Sequence, residues 1–208
     1  MQKNVPIFPL NIVLFPGSKY GLHIFEERYK KMIMRCLTNK ELFGIVTGDD
    51  SVYSKVGCLC RIENIKKEYP DGRKDIIVEG MYRFFIQSSH QHNDGYLEAD
   101  YTEYVDLPDA KIDISKTEQA KSKFEKIVEK TAMVLEQAYW DKLEKTRLKS
   151  YKIAEKSGLN LQQQQELLIS KSENTRLNIL IEHFEKIEKY FDYQSQINKL
   201  IENDGYLN

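Results

Sequence analysis

Hydrophobic and polar positions change their period about halfway along the chain. Residues 5–10 and 12–15 form short apolar runs broken by Pro6, Pro9 and Pro16, so they predict short strands placed at edges or turns. Tyr29, Met32, Ile33, Cys36 and Leu37 then recur at helical spacing, which predicts a helix over residues 26–37 with one buried face. Glu26 and Glu27 suit its positive end. Residues 42–47 read as a strand. After them Val56, Cys58, Cys60 and Ile62 alternate strictly with Gly57, Leu59, Arg61 and Glu63, the period of a strand with one face inward. Pro70-Asp71-Gly72-Arg73 is turn chemistry before a return strand over 75–79. Tyr82, Phe84 and Ile86 share a face beyond Gly80, and a last strand is predicted over 97–105, with Leu97, Ala99, Tyr101 and Val105 on one side. Strands this short and this closely spaced predict a curled sheet or small barrel.

Residues 106–116 (DLPDAKIDISK) break both periods and mark a junction. Beyond it the spacing is helical. Phe124, Ile127, Val128, Thr131, Val134, Leu135 and Ala138 form one stripe, read as a long helix ending near Trp140, whose ring is expected to anchor between helices. A helix over 150–156 stops before Gly158, Asn160 caps another that includes Leu167 and Leu168, and a fourth follows Ser172 with Leu177, Leu180, Ile181, Phe184, Ile187 and Phe191 inward. The tail from Asn203 has nothing to bury. The fold class is therefore α+β: a β-rich subdomain over 1–107 with one helix, then an α-helical bundle over 108–208.

Charge and cysteine content narrow the chemistry. The chain has 208 residues, 31 basic and 32 acidic, for a net charge of −1. Nucleic-acid binders usually carry a basic excess, so nucleic acid is not an expected partner. The cysteines are Cys36, Cys58 and Cys60, an odd and low count that fits a reducing compartment; with no cleavable leader and no run long enough to span a membrane, cytoplasm is the expected location.

Searching for a catalytic or cofactor site excludes the obvious motifs. No phosphate loop or dinucleotide fingerprint occurs, and Gly17-Ser18-Lys19 lacks the leading glycine a phosphate loop needs. No G-x-S-x-G elbow is present. Cys58-x-Cys60 and His90-x-His92 could in principle supply four zinc ligands. The cysteines, however, continue a strand's inward face, and the histidines lie in a polar SSHQHND stretch that reads as an exposed loop. Arg83, between Tyr82 and Phe84, reads as a strand arginine paired to an acid, and His23 as a packed or capping histidine. Neither metal nor cofactor is expected, and no catalytic residue is assigned.

Several of these pieces form a pattern. Pro6-Ile7-Phe8-Pro9-Leu10, Val13-Leu14-Phe15-Pro16-Gly17 and Leu22-His23-Ile24-Phe25-Glu26-Glu27-Arg28-Tyr29 together resemble the opening of the Lon N-terminal, substrate-binding domain family. Asp71-Gly72 and Gly80-Met81-Tyr82-Arg83-Phe84 resemble its later signatures, and Leu167-Leu168 with Thr175-Arg176-Leu177 its closing helices. Glu27 departs from the pattern, standing where many relatives carry proline. The resemblance implies a PUA-like curled sheet and a helical bundle. It makes Pro9, Pro16, Gly17, Glu26, Arg28, Tyr29, Asp71, Gly72, Gly80, Arg83 and Phe84 structural positions. It also implies a free-standing member without ATPase or peptidase modules.

The function this implies is non-catalytic binding of unfolded or apolar polypeptide segments, with a separately encoded protease as a candidate partner. Phe15, Leu22, Ile24 and Phe25 are the candidate anchors, in an apolar groove expected where the motif region meets the bundle; the competing reading makes them core. Two other classes stay open: an uncharacterised hydrolase or metal enzyme, and an RNA-binding module of PUA-like fold, the latter resting on fold analogy alone.

Overall fold

The structure, a computed structural model, describes residues 3–108 and 111–204. The chain divides into two compact units, Met1–Pro108 with Leu159–Lys171, and Asp109–Gly158 with Ser172–Asn208. The expected boundary at 107/108 thus has an exception: residues 159–171, assigned from sequence to the bundle, belong with the sheet.

Six strands build the first unit: β1 (Lys3–Leu10), β2 (Lys19–Ile24), β3 (Phe43–Thr47), β4 (Val56–Glu68), β5 (Lys74–Gln91) and β6 (Leu97–Glu103), with α1 (Glu27–Asn39) between β2 and β3. Their order is β2-β5-β4-β3-β1-β6, and β5 pairs again with β6, so the sheet curls back on itself. β1 changes partner midway. Residues 3–7 run antiparallel to β6, and residues 7–10 parallel to β3. Each half of β1 needs only one edge of its backbone, so Pro6 and Pro9 can turn their missing N–H away from the ladder.

The strict alternation read over residues 56–63 is only half of the pattern. Val56, Gly57, Cys58, Leu59 and Cys60 are all buried, because both faces of the sheet are covered there. Cys58, Cys60 and Ile45 join α1's Tyr29, Met32, Ile33 and Cys36 in one cluster. Leu59 and Val46, their neighbours in sequence, join Val5, Ile7, Phe84, Ile86 and Ala99 in the other.

Residues 12–15, expected as a strand, form none; the strand lies later, at β2, where Gly21 and His23 dilute the apolar signal. The return strand and the 82–86 run are one 18-residue strand, β5. It extends to Gln91, so residues 88–91 of the stretch read as a loop are the exposed end of a strand paired with β6, while His92, Asn93 and Asp94 lie in the turn that follows, His92 and Asp94 half-buried. Val105 falls beyond β6 and is exposed.

Gly80 explains one motif position. A Cβ there would stand 2.3 Å from the Phe15 carbonyl oxygen, so only glycine permits the approach. The same contact carries two backbone hydrogen bonds, Gly17 N–H to Gly80 O at 2.7 Å and Gly80 N–H to Ser18 O at 2.9 Å. Gly17 has φ +78°, a left-handed turn that a side chain would strain.

The second unit contains α2 (Ile114–Lys130), α3 (Gln137–Lys145), α4 (Lys149–Ala154) and α6 (Glu173–Asp204); the intervening α5 (Leu161–Ile169) belongs to the first. The long helix read through Ala138 is broken at Thr131, followed by Ala132 in the left-handed region, and Val134 is 92% exposed. Thr131 turns its hydroxyl back onto the Ile127 carbonyl at 2.7 Å, competing with the helix it should continue. Trp140 does pack on Phe124, with ring centroids 5.8 Å apart. Much of the expected tail from Asn203 lies outside the described residues, α6 itself continuing to Asp204.

A polar knot ties two of this unit's helices, α4 and α6. Glu173 on α6 accepts from Ser150 N–H at 2.9 Å and Ser150 Oγ at 2.6 Å, capping α4, whose own N-cap Leu148 offers no side-chain acceptor. Arg176, fully buried, donates to Glu173 at 3.0 Å and lies over the Tyr151 ring.

All three cysteines are buried and unpaired as disulfides. Burial pushes the Cys36 and Cys58 thiols up to about 12 and lifts Cys60 well above the ordinary thiol value. At pH 8 native protein is expected to leave all three unreacted with a thiol reagent, and denatured protein to label fully. Fast labelling of any one in native buffer would contradict this packing. In the unfolded chain the thiols ionise near their ordinary value of about 8.5, so the native state holds more protons and stability falls as pH rises above about 9.

Candidate functional site

The site begins with the helix that leaves the bundle. α5 reads LQQQQELLI, and Asn160 starts it with a reciprocal capping box: Asn160 Oδ1 accepts from Gln163 N–H at 2.9 Å, and Gln163 Oε1 from Asn160 N–H at 3.0 Å. Leu167 and Leu168 are buried and seat the helix. At its other end the carbonyls that lack helical partners are taken by side chains. Arg83 Nη1 donates to Leu168 O at 2.7 Å and Ser170 O at 2.5 Å, Nη2 pairs with Asp106, and Tyr104 Oη donates to Ile169 O at 2.9 Å. A cation at a helix C-terminus also opposes the negative end of its dipole. The arginine expected to pair with an acid does so with Asp106, and it also fastens α5.

Gln165 makes the middle attachment. Its Nε2 donates to Ser54 Oγ at 2.7 Å and to Val56 O at 3.0 Å. Thr47 Oγ1 lies 2.7 Å from Gln165 Oε1 and 2.8 Å from Ile12 O, so its single proton is shared between two acceptors. With α5 held in the middle and at its C-terminal end, the helical face opposite Leu167 and Leu168 forms the wall of a cleft. Leu161, Gln162, Gln165, Glu166 and Ile169 supply that wall, and Thr47 and Ser54 the floor, around a volume of 620 Å³. That is the size of pockets that hold small ligands or single side-chain clusters; its open surface is mostly apolar, although Leu161 and Ile169 are its two apolar residues and the other five are polar. Ile169 is 41% exposed at its rim.

The four expected anchors lie elsewhere. Phe15, Leu22 and Ile24 are buried within the sheet unit, Leu22 and Ile24 in the cluster beneath α1. Strand alternation directs Leu22 and Ile24 inward, and a surface role for them is not what their burial offers. Phe25 alone is open, 58% exposed, with its ring 5.9 Å from that of His23. None of the four lines the cleft.

The motif residues hold structure. Tyr29 stacks on Phe8 at 3.9 Å, while Arg28 reaches Glu26 at 2.9 Å and Asp50 at 2.5 Å. Asp71 accepts from Arg73, and Gly72 N–H donates to Tyr69 O at 2.9 Å to close the β4–β5 turn. Phe84 is core. His23 Nδ1 sits 2.5 Å from Asp75, whose second oxygen accepts from Tyr69 Oη; hydrogen bonds from His23 and then Tyr69 hold the Asp75 carboxyl below its ordinary range. His23 is thus set between an acid and two aromatic rings, a surface packing arrangement. Among the described residues no group of three or more His, Cys, Asp or Glu could hold a metal ion, and no helix is long and apolar enough to cross a membrane.

A curled mixed sheet with one helix, joined to a helical unit that returns one helix to the sheet, places the chain in the class of Lon N-terminal domains. Residues 4–186 match the family model described as the ATP-dependent protease La (LON) substrate-binding domain, and the chain belongs to that family. It is similar to the crystal structure of a Lon N-terminal domain protein from Xanthomonas campestris, with 26% identity and a TM-score of 0.66 over 86% of this chain and 97% of that one. The N-terminal domain of a Mycobacterium avium complex Lon protease shares the fold at 17% identity, with a TM-score of 0.65 over 88% of this chain and 98% of that one.

Proposed function

We propose that this domain is a non-catalytic recognition module that takes exposed apolar polypeptide segments into the α5 cleft. Family membership supports substrate recognition. The observation that carries the location is the 620 Å³ cleft, walled by one face of a helix that is itself held at its C-terminal end and in the middle. Apolar side chains entering it would shed water at about 25 cal/mol per Å², while the amide of Gln162, also in the lining, is placed to meet a client's backbone. The output of such binding is delivery of the client to a protease. The near-neutral charge balance favours polypeptide over nucleic acid as the ligand.

Ile169→Asp tests the location. A permanently unfolded protein, reduced and carboxymethylated, is expected to bind the variant more weakly by about 1–3 kcal/mol. The melting temperature should barely move, because Ile169 is a rim residue. Unchanged affinity would remove the cleft from the mechanism. The unfolded protein should stay intact through long incubation with or without ATP, and steady cleavage would contradict the non-catalytic reading.

A further inference from the structure

We propose that the outer edge of β2 docks the main chain of an extended client segment by strand addition. The inference rests on the reading that clients are polypeptides, and it does not require the cleft.

Among the described residues β2 pairs with β5 alone, so its other edge carries a row of backbone donors and acceptors with no strand opposite. Open strand edges invite pairing, and proteins usually blunt them with bulges, prolines or charge. The other open stretches of this sheet are blunted. β4 beyond Cys60 has register shifts between Ile62 and Asn64 and between Ile65 and Lys67, and carries Lys66 and Lys67. The end of β5 follows a shift between Ile86 and Ser88 and continues with polar side chains only. β1 carries Pro6 and Pro9. β2 has none of these devices: six successive residues, Lys19 to Ile24, stay in register with β5, and its one lysine, Lys19, is paired to Glu63.

Gly21 sits in the middle of this edge and is exposed. Its backbone is not left-handed, and an added Cβ would meet nothing nearer than Ile77 Cδ1 at 3.7 Å. The fold therefore does not require glycine there, although an interior strand glycine costs about 0.5–1 kcal/mol relative to alanine. A bare backbone in mid-strand is what close approach of another backbone needs. Tyr20 and Phe25, both exposed, flank it and offer aromatic surface to the incoming chain. An extended polypeptide is the partner whose chemistry matches a row of main-chain groups, with side-chain preferences secondary.

The probe is a peptide of about ten alternating valines and threonines with a lysine at each end, long enough to span β2. Native protein should bind it with new amide-exchange protection within residues 19–24. Two N-methylated versions, modified on alternate residues of opposite parity, should differ: one binds as the parent does, the other at least about ten-fold more weakly, since it loses hydrogen bonds worth about 1 kcal/mol each. Gly21→Val should weaken the parent peptide about ten-fold without lowering the melting temperature, because a β-branched residue suits a strand. Ile169→Asp should leave peptide binding unchanged. The proposal fails if both N-methylated peptides bind like the parent, if Gly21→Val binds normally, if no peptide binds, or if the edge instead joins two copies of the protein. Any of these leaves the cleft reading to stand or fall on the unfolded-protein assay with Ile169→Asp.

Discussion

Replacing Arg83 with methionine is expected to destabilise the sheet unit by about 3 kcal/mol, measured by urea denaturation. The guanidinium is buried, and its two nitrogens serve the Leu168 and Ser170 carbonyls and the Asp106 carboxylate. Methionine fills similar volume, so the loss isolates the polar groups left behind. Each unsatisfied buried group costs about 1–3 kcal/mol, and a buried charge stripped of its partner about 3–5. Asp106 is about a quarter exposed and regains some water, which places the expectation at the lower end. Arg83→Lys should recover only part of the loss, because an ammonium cannot reach three acceptors in the guanidinium's fixed geometry. Amide exchange in α5 should accelerate in both variants, since its C-terminal carbonyls lose their anchor. Wild-type stability in Arg83→Met would mean that the helix is held by Leu167, Leu168 and Gln165 alone.

In the helical unit, Arg176→Met is expected to cost about 3–5 kcal/mol. Arg176 has no exposed surface and Glu173 almost none, so removing the cation leaves a carboxylate in a dry site with, among the described residues, the Ser150 groups to satisfy it. Changing both, as Arg176→Met with Glu173→Gln, removes the orphan charge while keeping a hydrogen-bonding acceptor for Ser150. The double variant is therefore expected to be more stable than Arg176→Met alone, a coupling that a double-mutant cycle reads directly. Additive losses would show that the two side chains act independently and that the pair is incidental to the packing of α4 against α6.

How far the sequence could be read follows from what each element buries. α1 was legible because Tyr29, Met32, Ile33 and Cys36 keep helical spacing against a polar opposite face. The two-face burial of β4 was not, because Gly57 and Leu59 look like the outward half of an alternating strand until a second cluster is known to cover them. α5 was found with its cap, yet nothing in LQQQQELLI says whether Leu167 and Leu168 seat against helices or against a sheet. Its partners lie far away in sequence: Arg83, Ser54 and Thr47 reach it across 85, 111 and 118 residues. The cleft face was missed for the same reason. Gln162, Gln165, Glu166 and Ile169 carry little hydrophobic contrast, whereas the apolarity that makes Phe15, Leu22, Ile24 and Phe25 candidate anchors also buries the first three, as the competing core reading has it. The motif arginine was assigned a partner acid correctly; its hold on a helix end emerges only when the chain returns to the sheet.

Amide-exchange mapping of the protein with and without a saturating reduced, carboxymethylated protein tests the central claim most directly. Binding in the cleft is expected to slow exchange in α5, Leu161–Ile169, and around Thr47 and Ser54, while α2 and α6 exchange as before. Protection confined to the helical unit, or no protection at a concentration where complex is detected, would contradict it.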